Sequence, residues 1–137
     1  MTELSHLIDA LQNPGMNPTE KRKYARIPVS VPISCVSIDS EGAALDFNMG
    51  VVKDVSQSGL ALETLCSVKS ERLLLSFIDT SHKTHEIQGK VMHSCPLRSG
   101  QCKVGVMLLG THEKNMDFIK HLVRYYHYNK KVSSMLR

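Results

Sequence analysis

Short runs of alternating apolar and polar residues, separated by turn-forming residues, fill the middle of this chain. The first run, at 27–36, places an apolar side chain at every second position, as a strand with one buried face requires. Pro28 and Pro32 lie on the same face and cannot donate a backbone hydrogen bond, which predicts an edge or bulged strand. Further runs follow at 48–55, 60–64, 72–78, 86–93 and 102–109, with Gly, Ser and Asp between them. About six strands with short connections predict a small antiparallel barrel or sandwich.

A helical pattern precedes these runs. Its apolar positions recur at intervals of three and four, at Leu4, Leu7, Ile8 and Leu11. This spacing predicts a short amphipathic helix that Thr2 caps and that Asn13-Pro14-Gly15 ends. Because a helix this short is marginal on its own in water, we expect it to dock, and its own domain is favoured over another protein.

A second helical pattern lies near the C-terminus. Apolar residues repeat at helical spacing between Met116 and Tyr126, whereas Lys120 and Arg124 point elsewhere. We predict an amphipathic helix of about four turns packed against the strands. The 137 residues suit one domain. The expected division is a helix and linker at 1–20, a β-rich domain with its C-terminal helix at 21–131, and a tail at 132–137.

The composition of the chain argues against several classes of protein. No apolar run approaches the ~20 residues that cross a bilayer, and the first residues lack the basic region and cleavage site of an export signal. We therefore expect a cytoplasmic protein without a membrane span. Aromatic residues make up 5% of the chain and the basic residues are scattered, which argues against nucleic-acid binding. The four cysteines form no C-x-x-C pair and are expected to be reduced thiols packed as small hydrophobic groups.

The sequence offers little for catalysis or metal binding. His82 and His85 lie three residues apart beside Glu86, but no H-E-x-x-H or zinc-type Cys/His spacing occurs. Neither G-x-S-x-G nor a paired-carboxylate motif is present. We expect no enzymatic activity, no metal and no cofactor.

Two short polar motifs flank the first strands. Arg22 and Arg26 form R-x-x-x-R just before the first strand, and Asp54, Ser56 and Gly59 form D-x-S-x-x-G between the second and third. Each motif has a plain structural explanation of its own. The first is a solvated basic run, and the second is a turn in which Asp and Ser cap backbone groups and Gly supplies a positive φ.

Taken together and in this order, the two motifs resemble those of the PilZ domain, a bacterial receptor module for cyclic di-GMP. The resemblance covers about residues 21–130 and includes 26–29, 58–62 and 104–109, which look like the starts of the family's first and third strands and its last strand. It implies a six-stranded antiparallel β-barrel, followed by a helix, with the ligand bound on the outside. The binding function that it implies is not enzymatic.

The resemblance also implies a role for each motif residue. Arg22 and Arg26 would swing in from the N-terminal loop to hold guanine and phosphate. Asp54 would bind a guanine edge, with Ser56 nearby and Gly59 leaving room. These roles suit the ligand's chemistry, because a planar Arg fork matches guanine O6 and N7 and phosphodiesters prefer guanidinium or backbone N–H partners.

Two further expectations follow from the resemblance. A bulky apolar residue before the first Arg disfavours a stacked ligand pair in this family, so Lys21 favours two intercalated cyclic di-GMP molecules and adds a phosphate contact. Ordering of the loop would relay binding to an unidentified effector protein in motility, biofilm or polysaccharide control. The alternative is a barrel that binds no nucleotide and acts through protein contacts alone, although such members generally lack the arginine pair.

Overall fold

The computed structural model describes Ile8 and residues 25–135. The predicted linker, Lys21 and Arg22 lie outside the described residues, as does the predicted N-terminal helix apart from Ile8. The described elements are β1 Ile27–Ile38, β2 Ala44–Val55, β3 Gly59–Thr64, β4 Arg72–Ile78, β5 Thr84–Pro96, β6 Cys102–Leu108 and the helix α1 His112–Met135.

The strands close into one barrel in the order β1-β2-β3-β6-β5-β4. Each neighbouring pair is antiparallel, including β1 with β4, which closes the barrel. The six-stranded antiparallel barrel with a C-terminal helix is thereby confirmed, and the sandwich alternative is wrong.

The barrel interior holds the apolar positions that alternation predicted. Along β1, Val29, Val31 and Ile33 are buried, and the residues between them face outward. Side chains from the other strands fill the same space, and the largest fully buried ones include Leu62, Leu73 and Leu75. Burying a side chain of this size stabilises the fold by about 1.5–3 kcal/mol, so these positions fix which face of each strand points inward.

The prolines of β1 lie where the ladder is interrupted. The register with β2 shifts between Pro28 and Val31, which confirms the predicted bulge. The pairing with β4 covers only Ser34 to Ile38, so Pro32 lies beyond it and needs no hydrogen bond on that side. The strand as a whole is not an edge, because β2 and β4 flank it.

Two turns extend the strands beyond their predicted limits. The Asp39 carboxylate accepts hydrogen bonds from the backbone N–H groups of Glu41 and Ala43, each at 2.9 Å. Asp79 does the same for Ser81 at 2.8 Å and Lys83 at 3.0 Å. These aspartate-centred turns let β2 begin at Ala44 and β5 at Thr84, earlier than the alternation indicated.

The helix α1 packs across β1 and β5. Thr111 caps it, because its Oγ1 accepts a hydrogen bond from Lys114 N at 3.2 Å. Phe118 meets Phe77 of β4 edge to face, with ring centroids 5.4 Å apart. The predicted length of about four turns is wrong: 24 residues make about six and a half turns. The chain has no Pro or Gly after Gly110 to end the helix earlier.

The cysteines are all thiols, but they do not share one environment. Cys35 and Cys102 are buried as expected, and burial raises the pKa of Cys35 to about 12. Cys66 and Cys95 are exposed, so the expectation of packed thiols is wrong for these two. Cys66 lies in the turn after β3, and Cys95 lies at the exposed end of β5.

Across the described residues, no helix combines the length and the apolar character needed to cross a bilayer.

Candidate functional site

The pairing of β1 with β2 joins the two polar motifs. Arg26 immediately precedes β1, and Pro28 pairs with Asp54 near the end of β2. As a result Arg26 Nη1 lies 2.7 Å from Asp54 Oδ1, although 28 residues separate them in sequence. Their side chains remain 40% and 31% exposed. An ion pair this exposed contributes about 0–1 kcal/mol, so an incoming ligand can compete for either partner at little cost.

The turn after Asp54 is held by Ser56. Its backbone N–H donates to Gly59 O at 2.8 Å, and its hydroxyl donates to the same oxygen at 3.3 Å. Ser56 is buried. Ser56 thus caps a backbone group of the turn, whereas the Asp54 carboxylate bonds to Arg26.

Gly59 is required by close packing and not by its φ. Among the described residues, positive φ occurs at Gly42, His82 and Gly100. A Cβ at Gly59 would lie only 2.6 Å from Val106 O, on the neighbouring strand β6. The missing side chain thus lets the bend after β2 approach β6 closely, which brings residues of β6 to the site.

A groove of about 450 Å³ opens beside these residues, and we call it the signature groove. Motif residues Arg26, Asp54, Ser56 and Gly59 all line it. The turn before β3 and β3 itself add Ser58, Leu60 and Ala61 to the lining. The strands β5 and β6 add side chains that the sequence reasoning missed, namely Met92, His93, Lys103 and Met107.

His93 lies directly across from Gly105 in the β5–β6 register. A Cβ on Gly105 would stand 2.9 Å from His93 Cδ2 and nearer still to Nε2, so the imidazole covers the bare glycine. His93 is itself exposed and offers a ring to the groove. The sequence signal for this wall was Gly105 inside the apolar run of β6, because glycine within a strand often marks such a close approach.

Four of the six predicted site residues lie together in the signature groove. The structure brings Arg26, Asp54, Ser56 and Gly59 together, whereas Arg22 and Lys21 lie outside the described residues. Lys103 adds a second cation to the groove.

Of the two neighbouring histidines noted in the sequence, His82 and His85, the buried His85 has a structural role. His85 Nε2 donates to Asp79 Oδ2 at 2.7 Å, and its ring stacks on Phe77 and on His121 of α1 at centroid distances of 5.0 and 4.3 Å. This hydrogen bond from His85 is the main cause that lowers the pKa of Asp79 from 3.8 to about 2. His82 forms part of the turn before β5. Within residues 25–135 and Ile8, no three His, Cys, Asp or Glu side chains are grouped to hold a metal ion.

Solved structures of low sequence identity share this fold. The PilZ domain of YcgR from Escherichia coli with c-di-GMP has a TM-score of 0.54 and 9% identity, with 84% of this chain and 98% of that chain covered. The crystal structure of Escherichia coli YcgR in complex with c-di-GMP gives 0.55 and 11%, with 86% and 51% covered. Apo MrkH from K. pneumonia gives 0.53 and 14%, with 83% and 55% covered, so this chain spans about half of those last two proteins. No curated protein matches the sequence.

The family comparison covers more of the chain than the motifs alone. The model of the PilZ domain matches residues 20–127, which include every described strand and the part of α1 that packs on the barrel. The chain therefore belongs to the PilZ domain family.

Proposed function

We propose that this chain is a non-enzymatic receptor for cyclic di-GMP and that the nucleotide binds in the signature groove. The observation that carries the proposal is the 2.7 Å contact between Arg26 and Asp54, which unites the two motifs at one accessible place. A guanidinium can pair with guanine O6 and N7 or with a phosphate, and a carboxylate can accept from guanine N1–H and N2–H. Both groups are present and partly exposed.

Binding requires the ion pair to open. Because Arg26 and Asp54 satisfy each other without ligand, each must exchange one partner for a ligand group. An exposed ion pair contributes little to stability, so this exchange costs little free energy. Charge-assisted hydrogen bonds of about 1.5–3 kcal/mol each then favour the bound state. Ser56 stays with its turn and serves to hold Asp54 and Gly59 in place.

The wall of β5 and β6 complements the motifs. His93 presents an aromatic ring, and Lys103 presents a cation for a phosphate. Arg22 would add a second guanidinium from the segment before Arg26, and Lys21 would add a phosphate contact that suits two ligand molecules per chain. Closing this segment over the groove would change the surface offered to an effector protein, which is a population shift driven by ligand affinity. We place the receptor in the cytoplasm, with an output in motility, biofilm or polysaccharide control.

Calorimetric titration with cyclic di-GMP tests the proposal. Arg26→Ala and Arg22→Ala should each weaken binding by about ten- to a hundredfold, as the loss of one charge-assisted hydrogen bond implies. Arg98→Ala is the matched control, because Arg98 is exposed in the β5–β6 turn, away from the groove lining. Cyclic di-AMP lacks the guanine edge and should bind poorly.

Asp54→Asn separates ligand binding from stability. It should weaken binding while leaving the melting temperature nearly unchanged, since its exposed ion pair adds little stability. Full affinity in the Arg22→Ala/Arg26→Ala double variant would refute the arginine clamp. A stoichiometry of one would refute the two-ligand expectation alone.

One observation favours the alternative of a barrel that acts through protein contacts. On the outer face of β2, Leu45, Phe47 and Met49 are 57%, 77% and 50% exposed, and Leu65 nearby is 59% exposed. Clustered apolar side chains on a surface often mark an interaction site. Under this alternative, a Phe47→Ser variant would lose its cellular output while cyclic di-GMP gives no heat with the wild-type chain.

A further inference from the structure

The second half of α1 extends past the part that packs on the barrel and forms one wall of a groove. The buried residues of α1 all lie between Asn115 and Val123, whereas Lys130, Ser134 and Met135 are exposed. The turn between β4 and β5 forms the opposite wall at Asp79 and Thr80. We call this space, of about 750 Å³, the helix groove.

The helix groove is lined by both apolar and basic side chains. Tyr125, Tyr128 and Met135 supply the apolar surface. Residues 118–135 contain four Lys or Arg residues and no Asp or Glu. Three of these cations line the groove, Arg124, Lys130 and Lys131, and they outnumber the single carboxylate of its lining, that of Asp79. The groove therefore suits a segment with an apolar stripe and acidic residues.

The first twelve residues of this same chain have that chemistry. Their apolar stripe, described above, repeats at helical spacing, and their charged residues are Glu3 and Asp9, with no Lys or Arg. Ile8, on the stripe, is helical and partly buried.

The chain is long enough to place this segment there. β1 and β4 are antiparallel with Ser34 opposite Ser76, so the start of β1 and the turn after β4 lie at the same end of the barrel. Residues 13–24 can span up to about 40 Å when extended, roughly twice the length of a typical strand.

We propose that residues 1–12 dock in the helix groove of their own chain as an amphipathic helix. The apolar stripe covers Tyr125, Tyr128 and Met135, while Glu3, at the edge of the stripe, faces the lysines and the arginine of the groove. A tethered segment has a millimolar effective concentration, so a weak contact is enough to keep it docked. This docking needs no nucleotide and is independent of the signature groove.

The test compares amide NMR spectra of the full chain with those of residues 13–137, without nucleotide. Removal of the segment should shift the amides of 124–135 and of Thr80, and should speed their hydrogen exchange. The amides of the β1–β2 turn at 39–43 should stay in place, which shows that the barrel is folded. A synthetic peptide of residues 1–12 added to the shortened chain should restore the original shifts.

Two point variants keep the chain at full length. Leu7→Asp places a charge in the stripe, and His6→Asp places the same charge on the opposite face of the predicted helix. Leu7→Asp should reproduce the spectrum of the shortened chain, and His6→Asp should not. Unchanged α1 amides on truncation would overturn the proposal. Shifts that grow with protein concentration, with a doubled mass in solution, would also overturn it, because the occupant would then belong to a second copy.

Discussion

Replacing a glycine of the signature groove by alanine adds a Cβ, which would meet a backbone atom at Gly59 and a side chain at Gly105. A Cβ at Gly59 would lie 2.6 Å from Val106 O, a backbone atom held in the β3–β6 ladder. A Cβ at Gly105 would instead meet the ring of His93, an exposed side chain. The first obstacle can move only if two paired strands separate, whereas the second can rotate into solvent.

The two Gly→Ala variants should therefore differ in stability. Overpacking against a fixed neighbour costs about 1–3 kcal/mol, which for a domain of this size lowers the melting temperature by about 3–15 °C. At Gly105 the strain is small. Alanine offsets it by roughly 0.5–1 kcal/mol, because alanine loses less backbone entropy on folding than glycine does. We expect a large fall for Gly59→Ala and a change of only a few degrees for Gly105→Ala.

Thermal unfolding followed by circular dichroism measures both variants under the same conditions. Titration with urea gives the same comparison as a free energy, and an unchanged slope would show that the folded barrel keeps its exposed surface. A Gly59→Ala protein as stable as the wild type would refute the close approach of the bend to β6. Equal losses at both positions would refute the distinction between backbone and side-chain neighbours.

Further predictions concern pH and thiol reactivity. The pKa of Asp79 is lowered in the folded state from 3.8 to about 2, so its contact with His85 stabilises the fold fully above about pH 4 and is lost as the pH falls towards 2. The melting-temperature difference between wild type and Asp79→Asn should shrink over that range, and a difference that persists at pH 2 would contradict this assignment. At pH 8 a thiol reagent should label Cys66 and Cys95 in the folded protein, and Cys35 only after unfolding, since it is buried and its pKa is raised to about 12. Rapid labelling of Cys35 in the native chain, measured by mass spectrometry, would show that the barrel opens.

The outer faces of the strands could be predicted only in part. Alternation predicts which side chains of β1 point inward, and the structure agrees at Val29, Val31 and Ile33. Alternation does not reveal how far a strand continues once both faces become exposed. Alternation therefore does not predict the strand residues before Asn48 in β2 and after His93 in β5.

The site residues likewise divide into those that the sequence identifies and those that it does not. Arg26, Asp54, Ser56 and Gly59 could be identified in the sequence because each belongs to a short motif with fixed spacing. His93 and Lys103 belong to no motif and reach the signature groove only through the pairing of β5 with β6 and of β6 with β3. Their place depends on strand order, which local spacing does not encode.

Local sequence determined the strands, the helix after them and the chemistry of the two motifs, since each depends on neighbours a few residues away. The tertiary structure alone decided that Arg26 contacts Asp54 and that Gly59 makes room for Val106 O. It also decided where along α1 the packing on the barrel ends. These are contacts between segments far apart in the chain. They are fixed by register and closure of the barrel, which depend on how all six strands share one core.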